Sequence, residues 1–245
     1  MLAVALILLA HLFNLSGIFL KSIIQGNDDV FFYYDYSVAW GGFVRLMVLA
    51  CGFASGLVFI QDRQTEAFRY YVLRAGRKKY IFSRIFGSVL SSACAMALAS
   101  LIVFILLRLS GLPWFESEIK LADLKNDLQG YVFASENVIF PIIYYCYTAF
   151  CFGCLWGMLA LVSSTFTQNP FVVISSPLIF AQALSIVFSL LRADNELRPY
   201  DLLGGYYEIS KLPFWQATWP FIITSIYLIP LGLLAYKRME RIIND

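Results

Sequence analysis

Six stretches of this chain, 2–20, 38–60, 81–107, 138–162, 171–191 and 214–236, run for about twenty residues or more with at most one charged side chain in each. No other feature restricts the fold so strongly. About 20 apolar residues in helical form cross the roughly 30 Å hydrocarbon core of a bilayer. Peptide groups in that core find no water, so spans of this length must satisfy their own hydrogen bonds as helices. Strands of a membrane barrel would be near ten residues long and would alternate in polarity. The predicted fold class is therefore all-α, a polytopic membrane protein with six transmembrane helices. Composition agrees, since 60% of residues are hydrophobic and only 14% charged, far from the averages of a soluble domain. No Gly/Ser linker, low-complexity tract or repeat breaks the chain, so residues 1–245 read as a single transmembrane domain. The 81–107 segment is longer than one span needs and is expected to tilt or project.

Charge orients this bundle. The 61–84 connection carries Arg63, Arg69, Arg74, Arg77, Lys78, Lys79 and Arg84 against Asp62 and Glu66, and the tail carries Lys237, Arg238 and Arg241 against Glu240 and Asp245. The 21–37, 109–137 and 192–216 loops each hold more acids than bases. Lys and Arg in short loops collect on the cytoplasmic side, so both termini and the basic connection are expected inside the cell (plasma) membrane. The uncharged "STFTQNP" connection, 164–170, follows by parity. The first span lacks a basic leader and a small-x-small cleavage site, so a retained helix is expected rather than a signal peptide. On this topology, Lys125→Cys is labelled by an impermeant thiol reagent from outside intact cells, and Lys79→Cys only after permeabilisation. Outside labelling at both positions would overturn it.

The basic connection, "QDRQTEAFRYYVLRAGRKKY" at 61–80, reads as a short amphipathic helix over about 63–76. On a helical wheel Gln64, Phe68, Tyr71, Val72 and Ala75 share one side, and Arg63, Glu66, Tyr70, Arg74 and Arg77 the other. Asp62 or Thr65 can cap its first turn, Arg63 and Glu66 form an i,i+3 pair, and Gly76 suits the left-handed position that ends a helix. Such a helix can lie on anionic lipid, where each basic residue contributes about 1 kcal/mol. Glu66 argues for more, because an acid within the polar stripe is of no use against an anionic surface and suits a protein partner instead.

The second span's end "FASGLVFIQDRQTE", the short helix with an acid near its start, the "RAGRKKY" turn and the "SRI" that opens the third span resemble the first cytoplasmic loop of ABC-2 type transporter permeases. The six-span layout with both ends inside is similar to that family over nearly the whole chain, whereas the loop motif covers about 25 residues. The resemblance implies the membrane subunit of an ATP-binding cassette exporter, whose loop is a coupling helix docked in a cleft of a separate ATPase subunit. It implies ATPase-coupling roles for Arg63, Glu66, Arg69, Tyr70, Arg74 and Arg77. It also implies pairing with a second permease copy as a homodimer, or with a similar permease as a heterodimer. Two departures stand out: Phe68, Arg69 and Tyr70 fill a region where members commonly have Gly, and the chain enters its first span at Met1 without a preceding amphipathic segment.

The chain shows no G-x-x-x-x-G-K-[ST] phosphate loop, and no soluble stretch is large enough for a nucleotide-binding domain. It is expected to be a transport subunit rather than an enzyme, without catalytic residues, cofactors or a nucleic-acid partner. All sixteen acids fall in loops, leaving no mid-membrane carboxylate relay of the kind a gradient-driven carrier needs. That carrier, and a non-transporting scaffold whose basic loop binds anionic lipid, are the alternatives. His11 is the single histidine, so a multi-His metal site is impossible in one chain. Near it lies Asn14, and both suit a hydrogen-bonded helix contact or a polar point on a transport pathway. Arg45, some eight residues into the second span, either snorkels to the interface or meets substrate or a partner permease. The "CFGC" pair, Cys151 and Cys154, sits in an apolar span with no second pair and reads as packing residues. Gly153 and Gly157 in the fourth span permit close helix approach. "FFYYDY", Trp114, Trp215 and Trp219 fit the outer interface belt. The apolar bundle favours a hydrophobic or amphiphilic substrate such as a peptide, drug or lipid.

Overall fold

The computed structural model describes residues 1–22, 29–40, 44–114, 138–191, 203 and 213–244, with backbone alone at 17–22, 39–40 and 213–216. Most of the 109–137 and 192–216 loops, Lys125 and residues 41–43 of the expected second span lie outside the described residues. Among the described residues there is helix and no strand. In chain order the elements are α1 (Leu2–Ser22), α2 (Val30–Asp35) running into a π-helical turn (Tyr36–Trp40), α3 (Val44–Gln64), α4 (Ala67–Ala75), α5 (Arg77–Leu109), α6 (Ile139–Phe166), α7 (Pro170–Leu191) and α8 (Pro213–Asn244).

Five helices, α3, α5, α6, α7 and α8, are long and apolar enough to cross a membrane, and α1 is apolar over Leu2–Ser16. Several outrun the expected spans. The 33 residues of α5 make a rod of about 50 Å at 1.5 Å per residue, well beyond a bilayer core. Polar residues that extend a span into water or headgroups add helical turns without adding apolar signal, so Gln64, Arg77 and Asn244 end helices some residues past the apolar runs.

The bundle is organised around α6. Of its most apolar window 83% is buried, against 17% for α7 and α8, so α6 is the axis and those two form the rim. It packs on α3, α5, α7 and α8, while α1 packs on α3 and α5. Small residues set these spacings. A Cβ added at Gly153 would lie 2.7 Å from the Ala93 Cα and from the Ser92 carbonyl oxygen of α5, and one at Gly157 would lie 2.5 Å from the Ser92 side chain. The Gly153-x-x-x-Gly157 stripe thus lets two backbones touch, the usual route to tight packing where lipid supplies no hydrophobic drive. Between α6 and α7 the chain turns in three residues. Asn169 Oδ1 accepts from the Phe171 amide at 3.0 Å, and Pro170 occupies the first helical position, where its missing N–H costs nothing.

The aromatic run at 31–34 departs from its expected place. Phe31, Tyr33 and Tyr34 are buried in the main core rather than set in an interface belt. Asp29 caps this short helix by accepting from the Phe32 amide. Tyr34 stacks on Phe104 of α5 with centroids 4.2 Å apart, and its hydroxyl donates to Ser100 Oγ at 2.9 Å. A tyrosine suits either an interface or a core in which its hydroxyl is satisfied, and the Ser100 partner decides for the core. The Val30 amide also donates to the Pro113 carbonyl, which ties α2 to the far end of α5.

Candidate functional site

The basic end of the bundle is where α3 hands over to α5 through α4. Helix α3 runs on to Gln64, and the Thr65 hydroxyl donates back to the Gln61 carbonyl at 2.7 Å. Thr65 therefore does not cap α4, and neither does Asp62, which lies within α3; both capping expectations fail. The reversal is made by Glu66 itself, at φ 54° and ψ 13°. That left-handed conformation is uncommon for a residue with a side chain and costs of the order of 1–3 kcal/mol. The other end of α4 is set by Gly76 at φ 84° and ψ 148°. Its positive φ was expected, but its ψ is extended, a combination nearly restricted to glycine. The helix between these residues is Ala67–Ala75, shorter than the expected 63–76.

A buried ionic cluster holds this reversal together. Asp62 is 7% exposed. Arg84 of α5 grips its carboxylate with two nitrogens, Nε at 2.6 Å and Nη2 at 2.9 Å, and the Tyr80 hydroxyl donates to Oδ2 at 2.7 Å. Two parallel N–H···O bonds and a third donor make this a charge-assisted arrangement of the strong kind. The Arg84 guanidinium also lies 5.3 Å from the centre of the Tyr71 ring, and Tyr71 stacks on Tyr80 with an interplanar angle of 9°. Tyr71 is thus the point at which α4 touches the cluster. Sequence reasoning missed Asp62, Tyr80 and Arg84 as a unit. The available signal was a carboxylate two residues past the end of one flanking apolar span and a guanidinium about a turn inside the other.

Phe68 and Val72 pack against the neighbouring apolar cluster of Phe59, Tyr80, Ile81, Met158, Leu161 and Met239. No residue of α4 is fully buried. Its outer side presents Tyr70 at 76% and Leu73 at 85% exposure, together with exposed Glu66, Arg69 and Arg74, and Arg77 follows as the exposed first residue of α5. Glu66 pairs with Arg69 at 3.0 Å, both more than 60% exposed, so the pair contributes only about 0.2–1 kcal/mol. The expected Arg63–Glu66 pair does not form. Arg63 belongs to the last turn of α3, and its guanidinium donates to the Ser164 carbonyl near the end of α6 at 3.2 Å. Arg238 of α8 stacks over Phe166 beside it, 4.3 Å from the ring centre.

The polar residues of the spans lie elsewhere. His11 and Asn14, both buried, meet Ser37 of the π-helical turn. His11 Nδ1 lies 2.8 Å from Ser37 Oγ, and Asn14 Nδ2 donates to the Ser37 carbonyl at 2.7 Å. Arg45, next to the first described residue of α3, is exposed. The five cysteines are free thiols, and among the described residues no group of His, Cys, Asp and Glu is placed to hold a metal ion.

The chain matches no family model, no curated protein and no solved structure. Its class rests on the architecture: the described residues are helical and include five helices long and apolar enough to span a membrane.

Proposed function

We propose that this chain is the permease subunit of an ATP-binding cassette exporter of the ABC-2 type, in the plasma membrane with both termini cytoplasmic and α1 as a sixth span. It moves a hydrophobic or amphiphilic substrate, with ATP hydrolysed by a separate ATPase subunit and a second permease copy or a similar permease completing the pathway. The observation that carries this reading is α4. It is a short helix between two long apolar ones, held from below by Phe68, Val72 and Tyr71, with Glu66, Arg69, Tyr70, Arg74 and Arg77 turned outward. Such a helix is firmly seated on the bundle and open on its other side, as a part that receives force from a docked protein must be. ATP-driven movement of the ATPase would reach α3 and α5 through α4. A second reading, a scaffold lying on anionic lipid, is favoured by exposed Leu73 and Tyr70 beside Arg74, Lys78 and Lys79.

One substitution separates the two. On anionic vesicles Glu66→Lys adds a favourable charge and binding holds or tightens. Against an ATPase cleft it sets like charges face to face, and truncating or reversing one member of a desolvated pair costs about 2–5 kcal/mol. Recovery of ATPase with the tagged chain therefore falls at least tenfold, since about 1.4 kcal/mol is tenfold. Glu66→Gln keeps the backbone conformation and gives a smaller loss, and Arg69→Glu tests the neighbouring cation. Wild-type recovery and ATP hydrolysis by Glu66→Lys would sink the coupling role and leave the lipid-surface reading.

A further inference from the structure

At the end of the bundle opposite α4, a cavity of about 290 Å³ opens between α1 and α5. Its size falls near the lower end of small-molecule sites, which span about 300–1,000 Å³. The lining is apolar except for His11, Ser16 and Ser110. Hydrogen placement at these three groups follows from their partners. Ser37 Oγ donates its one hydrogen to the Tyr34 carbonyl at 2.6 Å. Towards His11 Nδ1, 2.8 Å away, it can only accept, so Nδ1 carries the imidazole hydrogen and Nε2 is a bare acceptor. His11 is 0% exposed, and its Nε2 has no hydrogen-bond partner among the described residues. The Ser16 hydroxyl donates to the Phe13 carbonyl at 2.8 Å and the Ser110 hydroxyl to the Leu107 carbonyl at 2.7 Å. Each of the three described polar side chains of the cavity has committed its hydrogen and offers lone pairs alone. Among the described residues no charged side chain lines it. Leu12 and Leu106 at its mouth are 54% and 45% exposed, on the flank of two apolar helices where lipid would lie.

We infer that this cavity binds a neutral amphiphile drawn from the bilayer, its chain among the leucines and its hydroxyl donating to His11 Nε2. An apolar wall with acceptors and no donors selects a hydroxyl over its ether, because the ether has no hydrogen to give and leaves a buried acceptor unsatisfied. Phosphate and carboxylate headgroups are disfavoured by the same lone pairs. The inference does not depend on an ATPase, so its success or failure is separate from that of the exporter reading.

The test uses the purified full chain in phosphatidylcholine nanodiscs, whose lipid has no hydroxyl donor. Two photoreactive probes are compared, an octanol with a diazirine on its chain and the methyl ether of the same compound, with labelled peptides identified by mass spectrometry. The alcohol should label Leu8–Ser16 and Val103–Ser110 saturably, in competition with 1-octanol. The ether should bind about tenfold more weakly, the equivalent of about 1.4 kcal/mol. His11→Phe should remove the preference for the alcohol. Should that variant fail to fold, Leu106→Trp changes only an exposed side chain at the mouth and should abolish labelling by both probes. Equal labelling by alcohol and ether in wild type, or full labelling of Leu106→Trp, would overturn the inference.

Discussion

Asp62→Ala is expected to destabilise the protein by about 3 kcal/mol, the lower end of the 3–5 kcal/mol range for breaking a buried ion pair. The lower end applies because the Arg84 side chain keeps 24% exposure, and water supplies part of what the carboxylate gave. Removing the acid strands the guanidinium beside the stacked Tyr71 and Tyr80 rings and deprives the Tyr80 hydroxyl of its acceptor. Tyr80→Phe removes a single bond to a charged group and should cost about 1.5–3 kcal/mol. The informative control is the double replacement Asp62→Leu with Arg84→Met, which removes both charges at similar volume and should recover most of the loss, since apolar replacement of a buried pair is often neutral or better. Thermal unfolding in detergent gives the order, and limited proteolysis at 65–76 shows whether α4 comes loose first. Unchanged unfolding of Asp62→Ala would mean that the cluster does not hold the reversal.

The second expected result concerns α5 against α6, and it has opposite signs at two glycines. Gly153→Val should be strongly destabilising, by about 3 kcal/mol or more. Its Cβ alone would stand 2.7 Å from backbone atoms of Ala93 and Ser92, which yield only if the helices separate, and overpacking of this kind costs typically about 1–3 kcal/mol before the added methyl groups are counted. Gly87→Ala should be neutral or stabilising by up to about 1 kcal/mol, because nothing lies within 4 Å of a Cβ there and alanine loses less freedom in a helix interior. Paired melting curves of the two variants settle it, and equal effects would show that the α5–α6 approach is not limiting.

Much of the fold was legible because long apolar runs leave a chain few choices. The runs that became α3, α5, α6, α7 and α8 are visible as twenty or more residues with at most one charge each, whatever their neighbours do. Helix ends were not, since Arg77 or Asn244 contributes nothing to an apolar count yet continues a helix. At 31–34 the difficulty was of another kind. Phe31 and Tyr34 look alike to any scale whether they meet headgroups or Phe104, and only a partner 66 residues away, Ser100, distinguishes the cases. For the candidate site, the outward residues of α4 were readable from helical periodicity, while Arg63, expected on the same short helix, lies in α3, which runs on to Gln64 and carries it towards α6. The Asp62–Arg84 pair was invisible for a related reason. The two residues sit 22 apart and look like ordinary loop charges until the chain doubles back.

Helix α5 has one further property, best put in mechanical terms. It runs from Arg77 to Leu109 without a proline, whereas α7 contains Pro177 and α8 contains Pro220 and Pro230. A helix hydrogen-bonded throughout hardly shortens under load, so α5 is a strut and its rim neighbours are jointed. Arg84 is fastened near one end of the strut, and Ser100 and Phe104 near the other, about 24–30 Å away along its axis. On the proposed docking at α4, a push delivered there would be passed along α5 to the Tyr34 stack and to the Val103–Ser110 wall of the cavity beside His11, with little taken up by bending in between.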